Sequence, residues 1–125
     1  MSRGILPRVT LLAALALVAG AAPTVHAHTF LDHAVPAVGS TVNAAPAAIE
    51  LDFTEDVEAA FSTVEVTASA DGAKVEAKAL EHPAPGVLLL PLPRLAPGEY
   101  AVRWKVVSVD THSSEGSFRF CFAPP

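Results

Sequence analysis

The sequence has little cysteine, few aromatic residues and few positive charges. One cysteine in 125 residues excludes an intramolecular disulfide and a thiolate zinc cluster. Eight Lys and Arg residues against 13 Asp and Glu give a net charge of −5, without the basic stripe that nucleic-acid binding requires. The length allows one domain, and the aromatic content of 6% with 11 prolines argues against a helical bundle.

The long apolar run of the chain lies near the N-terminus. After a short basic start, residues 9–22 have the length of a signal-peptide hydrophobic region and are short for a membrane span. A small-residue cleavage motif ends at Ala27. We expect residues 1–27 to be a cleaved signal peptide and residues 28–125 to be an exported, non-spanning domain. The alternative is an uncleaved N-terminal anchor.

Most of the mature chain alternates apolar and polar residues, which is typical of half-buried β-strands. The alternation is found in residues 49–53, 64–68, 75–79, 100–106 and 118–122, and residues 87–90 form a short apolar run. Asp71 and Gly72 predict a hairpin turn before the third segment. About seven short strands predict an all-β fold, an immunoglobulin-like Greek-key β-sandwich.

Asp110 and His112 are the first candidates for a functional site. If the preceding strand, residues 100–109, stays extended to its end, both side chains lie on one side, roughly 7 Å apart. An isolated Asp-x-His pair is weak evidence, because such residues also occur at strand ends by chance. The acidic segment 55–58 lacks the ligand spacing of a calcium loop and is interpreted as a solvated turn. The sequence has no phosphate-binding glycine loop and no nucleophile-elbow serine, so no catalytic residue is predicted.

Cleavage after Ala27 would strengthen the metal interpretation, because His28 would become the first residue. A metal readily displaces the proton of its α-amine, whose pKa is about 8, and the amine and the imidazole together chelate one ion. A second imidazole from His112 and a carboxylate from Asp110 complete a tetragonal set, which Cu(II) prefers. We therefore predict one Cu(II) per chain, and no separate Cu(I) site because the mature chain lacks methionine.

Several segments carry a family resemblance. Residues 95–112 read LAPGEYAVRWKVVSVDTH, and shorter segments are HTFL at 28–31, PAVGS at 36–40, LDFTEDV at 51–57 and GSFRF at 116–120. With them the mature chain resembles the CopC family of periplasmic copper-binding proteins. The resemblance implies Cu(II) binding through His28, Asp110 and His112, a role in copper storage, delivery or resistance, and a CopD-type inner-membrane partner. Thr111 stands where the family usually has glycine, and the methionine-rich loop of some members is missing.

Four further residues are left with simple interpretations. His33 is a surface histidine, or alternatively a supporting or alternate ligand. Glu55 matches an acidic position of the family and is a candidate for a hydrogen bond to a ligand. His82 is expected to be exposed and without a role. Cys121 lies opposite the phenylalanine face of its strand, so its burial is open and an inert thiol is the simplest interpretation.

Three function classes compete. The favoured one is a monomeric, non-enzymatic Cu(II) carrier or buffer. The second is a copper-dependent oxidative enzyme, since a histidine brace also forms the active centre of polysaccharide monooxygenases. A carboxylate from Asp110 would occupy a position that O₂ chemistry needs open. The third is a metal-free immunoglobulin-like interaction module, in which the histidines are incidental.

Overall fold

The computed structural model describes residues 30–125, so the predicted signal peptide, residues 1–27, and His28 lie outside the described part. The described elements are β1 (Leu31–Val35), β2 (Thr41–Val42), β3 (Ala48–Phe53), a 3-10 helix (Ala59–Phe61), β4 (Thr63–Ala68), β5 (Glu81–Ala84), β6 (Val87–Pro91), β7 (Gly98–Val107) and β8 (Ser113–Phe122). Within these residues, no helix is long and apolar enough to cross a membrane.

The strands form two four-stranded sheets that share one core. The first sheet has the order β1-β3-β6-β5 and the second has the order β2-β8-β7-β4. Neighbouring strands are antiparallel, except for the parallel pair of β2 and β8. Because the chain passes repeatedly from one sheet to the other, both sheets are assembled from distant segments. The predicted all-β sandwich is confirmed.

The core follows the period-two pattern of the strands, because alternate side chains of each strand point between the sheets. Its buried apolar members are Ala34, Ile49, Leu51, Phe53, Val57, Val66, Leu88, Leu90, Leu92, Leu95, Tyr100, Val102, Trp104, Val106, Phe118, Phe120 and Phe122. Burial of each large side chain stabilises the fold by roughly 1.5–3 kcal/mol. The inward faces predicted for β3, β7 and β8 are therefore confirmed.

Aromatic side chains organise the second sheet. Trp104 packs edge-on against Phe53 of the first sheet, with 6.3 Å between ring centroids, and lies 6.1 Å from Phe118. The Tyr100 hydroxyl donates a hydrogen bond of 2.5 Å to the Ala96 carbonyl, four residues upstream. This contact resembles the tyrosine corner of immunoglobulin-like sandwiches, which ties the start of a strand to the preceding connection.

The prediction of a strand at residues 75–79 is wrong. Val75 N–H donates to a β4 carbonyl at 2.8 Å, whereas Lys78 N–H donates to a β6 carbonyl at 3.0 Å. Between them, Ala77 N–H donates to the Val75 carbonyl, which makes a tight bend. The segment therefore passes from one sheet to the other and belongs to neither. The turn before it is confirmed, with Gly72 at a φ of 73°.

Three strands were not predicted because their sequences lack a clear alternation. All four residues of β5 are exposed and one is Pro83, which suits a sheet edge. The β2 strand has only two residues. The register of β1 shifts between Leu31 and His33, and such an irregularity interrupts the apolar pattern.

Gly116 provides a test of the core, because it lies opposite Trp104 and a Cβ atom there would come 2.4 Å from indole Cζ2. The indole is held by Phe53 and Phe118, so it cannot move without disturbing the core. We expect Gly116→Ala to lower the free energy of unfolding by about 1–3 kcal/mol. Urea denaturation followed by the fluorescence of the single tryptophan measures this change. The exposed neighbour Ser117→Ala is the control, expected within about 0.5 kcal/mol of the parent; equal losses would contradict the packing argument.

Candidate metal centre

The hairpin of β7 and β8 ends in a three-residue loop that contains Asp110 and is followed directly by His112. The strands pair in continuous register, and Ser108 N–H donates to the His112 carbonyl at 2.8 Å to close a loop of residues 109–111. Thr111 N–H donates to the Ser108 carbonyl at 2.8 Å, and Thr111 has a φ of 72°. A β-turn followed by one left-handed residue is a common hairpin connection, usually with glycine at the left-handed position.

The loop brings Asp110 and His112 together in a different way from the predicted one. The β7 strand ends at Val107, so the two residues do not share the face of an extended strand. The turn instead places His112 Nδ1 3.1 Å from Asp110 Oδ1, with both side chains about half exposed. Because an ionised carboxylate only accepts hydrogen bonds, Nδ1 carries the proton and Nε2 carries the lone pair of the neutral ring.

Three hydrogen bonds reach the same oxygen, Oδ1 of Asp110. The Ser108 hydroxyl donates one of them, His112 N–H donates a second at 3.4 Å, and His112 Nδ1–H donates the third. The bond from Ser108, followed by that from the His112 side chain, lowers the pKa of Asp110 from 3.8 to about 2. The carboxylate is therefore ionised near neutral pH, as a metal ligand must be.

The connection between β3 and β4 supports this loop from the side. Val109 N–H donates to the Asp56 carbonyl at 3.1 Å, and Val57 forms an antiparallel bridge with Ser108. Val57 is only 1% exposed, although its neighbours are acidic. The acidic segment 55–58 is thus more than a solvated turn, because its backbone and one apolar side chain anchor the hairpin loop.

The first described residue is attached to the same connection. Phe30 N–H donates to Thr54 Oγ1 at 3.1 Å, and Thr54 N–H donates to the Phe30 carbonyl at 2.9 Å. Phe30 also lines a cavity of about 410 Å³ together with Ser113 and Ser114, which directly follow His112. The start of the described chain and the hairpin loop therefore lie at one end of the sandwich.

His33 lies in a separate acidic environment on the first sheet. It is exposed on β1, opposite Asp52 of β3. The side-chain hydrogen bond and the charge of Asp52 raise the pKa of Glu50, and the charge of His33 opposes this shift. Within residues 30–125, no group of three or more His, Cys, Asp or Glu side chains could hold a metal ion, so His33 joins no such group there.

The other candidates are at the surface or partly buried. His82 Nε2 lies 3.0 Å from the Pro85 carbonyl oxygen and 3.8 Å from Asp56 Oδ1, so this histidine does have polar neighbours. Glu55 is half-buried in the connection that supports the loop. Cys121 is a half-buried cysteine without a disulfide, on the outer side of β8.

The sequence interpretation missed Ser108, which is 1% exposed and touches both candidate ligands. The sequence pattern of β7 did contain a signal for this residue. The inward positions of β7 are every second residue up to Val106, and Ser108 is the next one in that series. A serine at an apolar position needs hydrogen-bond partners, and the neighbouring loop supplies them.

The conformation of Thr111 predicts a stabilising substitution. A β-branched residue at a left-handed φ is strained by roughly 1–2 kcal/mol, whereas glycine adopts this conformation readily. The greater conformational entropy of glycine in the unfolded chain offsets part of this gain, so we expect Thr111→Gly to raise the free energy of unfolding by about 0.5–1 kcal/mol. Thr63→Gly, at an exposed position of β4, is the matched control, and urea denaturation should show a lower free energy of unfolding for it. An unchanged or lower stability for Thr111→Gly would contradict the strain.

The pKa of Asp110 predicts how the metal-free protein responds to acid. The folded-state pKa is about 2 against an ordinary value of 3.8, so the ionised carboxylate stabilises the fold above that ordinary value. This contribution is lost as the pH falls through the folded-state pKa. Carbon-13 NMR of the Asp110 carboxyl group should therefore give a midpoint near pH 2. A midpoint at the ordinary aspartate value would show that the three hydrogen bonds are not formed in solution.

Comparison with known proteins gives consistent matches. The CopC domain family model matches residues 31–123. Protein YobA of Escherichia coli strain K12 is 40% identical over 104 residues, which cover 78% of this chain and 81% of YobA. Copper resistance protein C of Pseudomonas syringae pv. tomato is 37% identical over 119 residues, covering 90% of this chain and 91% of the relative.

Solved structures agree with these sequence matches. CopC from Methylosinus trichosporium OB3b superposes with a TM-score of 0.72 and 35% identity, covering 78% of this chain and 95% of that protein. PcoC, a methionine-rich copper resistance protein from Escherichia coli, gives a TM-score of 0.71 and 33% identity, covering 78% and 100%. The family match spans both sheets and the hairpin loop with its Asp110–His112 pair, and it confirms the resemblance seen in the sequence: this chain belongs to the CopC domain family.

Proposed function

We propose that this chain is an exported Cu(II)-binding protein that stores or delivers copper, or protects against it, without catalysing a reaction. Relatives named copper resistance protein C suggest the metal. The observation that carries the proposal is the Asp110–His112 pair, which joins an ionised carboxylate to an oriented imidazole at the end of the sandwich. A carboxylate and an imidazole together suit a borderline divalent cation.

The hydrogen bonds of the pair indicate which atoms would bind the metal. Oδ1 of Asp110 accepts the three hydrogen bonds of the loop, so the metal would bind Oδ2. His112 would bind the same ion through a ring nitrogen. The contact of Nδ1 with Oδ1 keeps the ring beside the carboxylate in the metal-free protein, and the ring would turn from this contact towards the ion, because its two nitrogens point to opposite sides of the ring. In this proposal, His28 adds its amine and its ring, and the resulting nitrogen-rich set favours Cu(II).

The attachment of Phe30 supports the proposed role of His28. Two residues of chain span at most about 7 Å, so the position of Phe30 limits how far residue 28 can lie from the Thr54 connection. That same connection carries Asp56, whose carbonyl holds the hairpin loop at Val109. A chain that begins at residue 28 would therefore begin close to the end of the sandwich that bears the candidate ligands.

The lack of methionine after Met1 makes Cu(II) a better proposal than Cu(I). The chain has one methionine, Met1, in contrast to the relative described as methionine-rich. Thioether and thiolate sulfurs are the soft ligands that Cu(I) selects, and Cys121 is isolated on the outer side of β8. We accordingly propose one copper ion per chain. The periplasmic location and a CopD-type membrane partner stay predictions.

The direct test is a Cu(II) titration of protein that begins at His28, with Trp104 fluorescence and EPR as the readouts of binding. We expect one tight tetragonal site with nitrogen hyperfine structure. An additional N-terminal alanine should weaken binding by orders of magnitude, because it removes the amine of His28 from the chelate. His112→Ala should also weaken binding strongly.

His82→Ala is the matched control for this titration. It also removes an exposed imidazole, and His82 lies near Asp56, whose carbonyl accepts a hydrogen bond from the hairpin loop. Its affinity should equal that of the parent. Absence of stoichiometric binding, or binding that is indifferent to the added alanine, would overturn the proposed ligand set. Equal losses for His82→Ala and His112→Ala would show that the metal binds imidazoles of the surface without selecting the hairpin pair.

A further inference from the structure

Ser108 is a buried polar side chain in direct contact with the hairpin loop. It is 1% exposed, and its backbone forms an antiparallel bridge with the buried Val57. A hydroxyl group buried without a partner destabilises a fold, so its hydrogen bonds decide whether it is tolerated. These bonds all run towards the segment that carries the proposed copper ligands.

The hydroxyl connects the two proposed ligands of the hairpin, Asp110 and His112. Its proton can be donated to Asp110 Oδ1 or, at 3.2 Å, to the His112 carbonyl. One hydroxyl proton serves one acceptor at a time, and the ionised carboxylate is the stronger acceptor. The oxygen also accepts a hydrogen bond from His112 N–H at 3.3 Å. Ser108 thus joins the side chain of one ligand to the backbone of the other.

Ser62 shows what a buried serine does here when its role is structural. It is 8% exposed, and it lies beside the end of β7. Its hydroxyl donates to the Glu58 carbonyl at 2.8 Å and accepts from Val107 N–H at 3.1 Å. Both of its partners are backbone groups. Ser108 differs because it holds a carboxylate side chain that is otherwise about half exposed.

We infer that Ser108 is a positioning residue for metal binding, which holds Asp110 in one rotamer through Oδ1 and leaves Oδ2 for the metal. This inference rests on the proposed copper site. An exposed aspartate without this bond would exchange between rotamers in solvent, and each metal-binding event would then have to restrict it again. Residues that orient a metal ligand through a hydrogen bond typically change metal affinity by about 10–100-fold when removed.

The test compares Ser108→Ala with Ser62→Ala in protein that begins at His28. Each variant removes one buried hydroxyl, and thermal unfolding of the metal-free proteins reports the stability of both. We expect Cu(II) affinity to fall about 10–100-fold in Ser108→Ala alone, with an altered EPR spectrum. Ser108→Thr, which keeps the hydroxyl, should restore the parent spectrum. Parent affinity and spectrum in a folded Ser108→Ala protein would overturn the inference.

A measurement on the parent protein covers the case in which Ser108→Ala does not fold. Three-bond couplings across the Asp110 Cα–Cβ bond in the metal-free protein should show one rotamer, and averaging over several rotamers would overturn the inference. Copper binding by the parent protein distinguishes failure of the proposed function from failure of the inference about Ser108. If the parent does not bind copper, the proposed function and the inference both fall, whereas a parent that binds copper with an unaffected Ser108→Ala protein removes the inference alone.

Discussion

The continuous pairing of β7 with β8 determines both the core and the candidate site. Along this pairing Trp104 lies opposite Gly116 and its ring packs beside Phe118, so the register places the largest side chain where a glycine leaves space for it. The same register ends at Val107 and Ser113, and the chain between them must close in a tight loop. A shift by one residue would turn the aromatic side chains outwards and alter the loop.

The end of this hairpin combines features that weaken a fold with features that serve a site. Thr111 adopts a left-handed conformation, a serine occupies a core position and two ionisable side chains stand together. The Thr54–Val57 connection stabilises this arrangement through its backbone bonds and the burial of Val57. Local departures of this kind, supported by the surrounding structure, are typical of functional sites.

The strands with strong alternation could be predicted from the sequence, because one buried face imposes a period of two on β3, β4, β7 and β8. The weak strands could not. Pro83 and its neighbours in β5 are exposed and are extended only because β6 offers an edge. The reverse error occurred at Val75 and Ala77, which alternate like a strand but are half-buried in a crossing between sheets. A pattern of burial does not show which hydrogen-bond partners are in reach.

For the candidate site, the residue types in the sequence suggested a ligand chemistry, whereas the geometry of the residues could not be predicted from the sequence. The Asp110-x-His112 pair, the position of His28 after the predicted cleavage site and the lack of methionine after Met1 led to the prediction of a nitrogen- and oxygen-ligated metal. Their hydrogen bond, the role of Ser108 and the low pKa of Asp110 depend on where β7 ends and on how the loop turns. The sequence by itself determined the sandwich class, because the class depends on periodicity, and its donor chemistry made Asp110 and His112 candidate ligands. Only the tertiary structure decided how those ligands are oriented, because a three-residue loop held by a distant connection sets their angles.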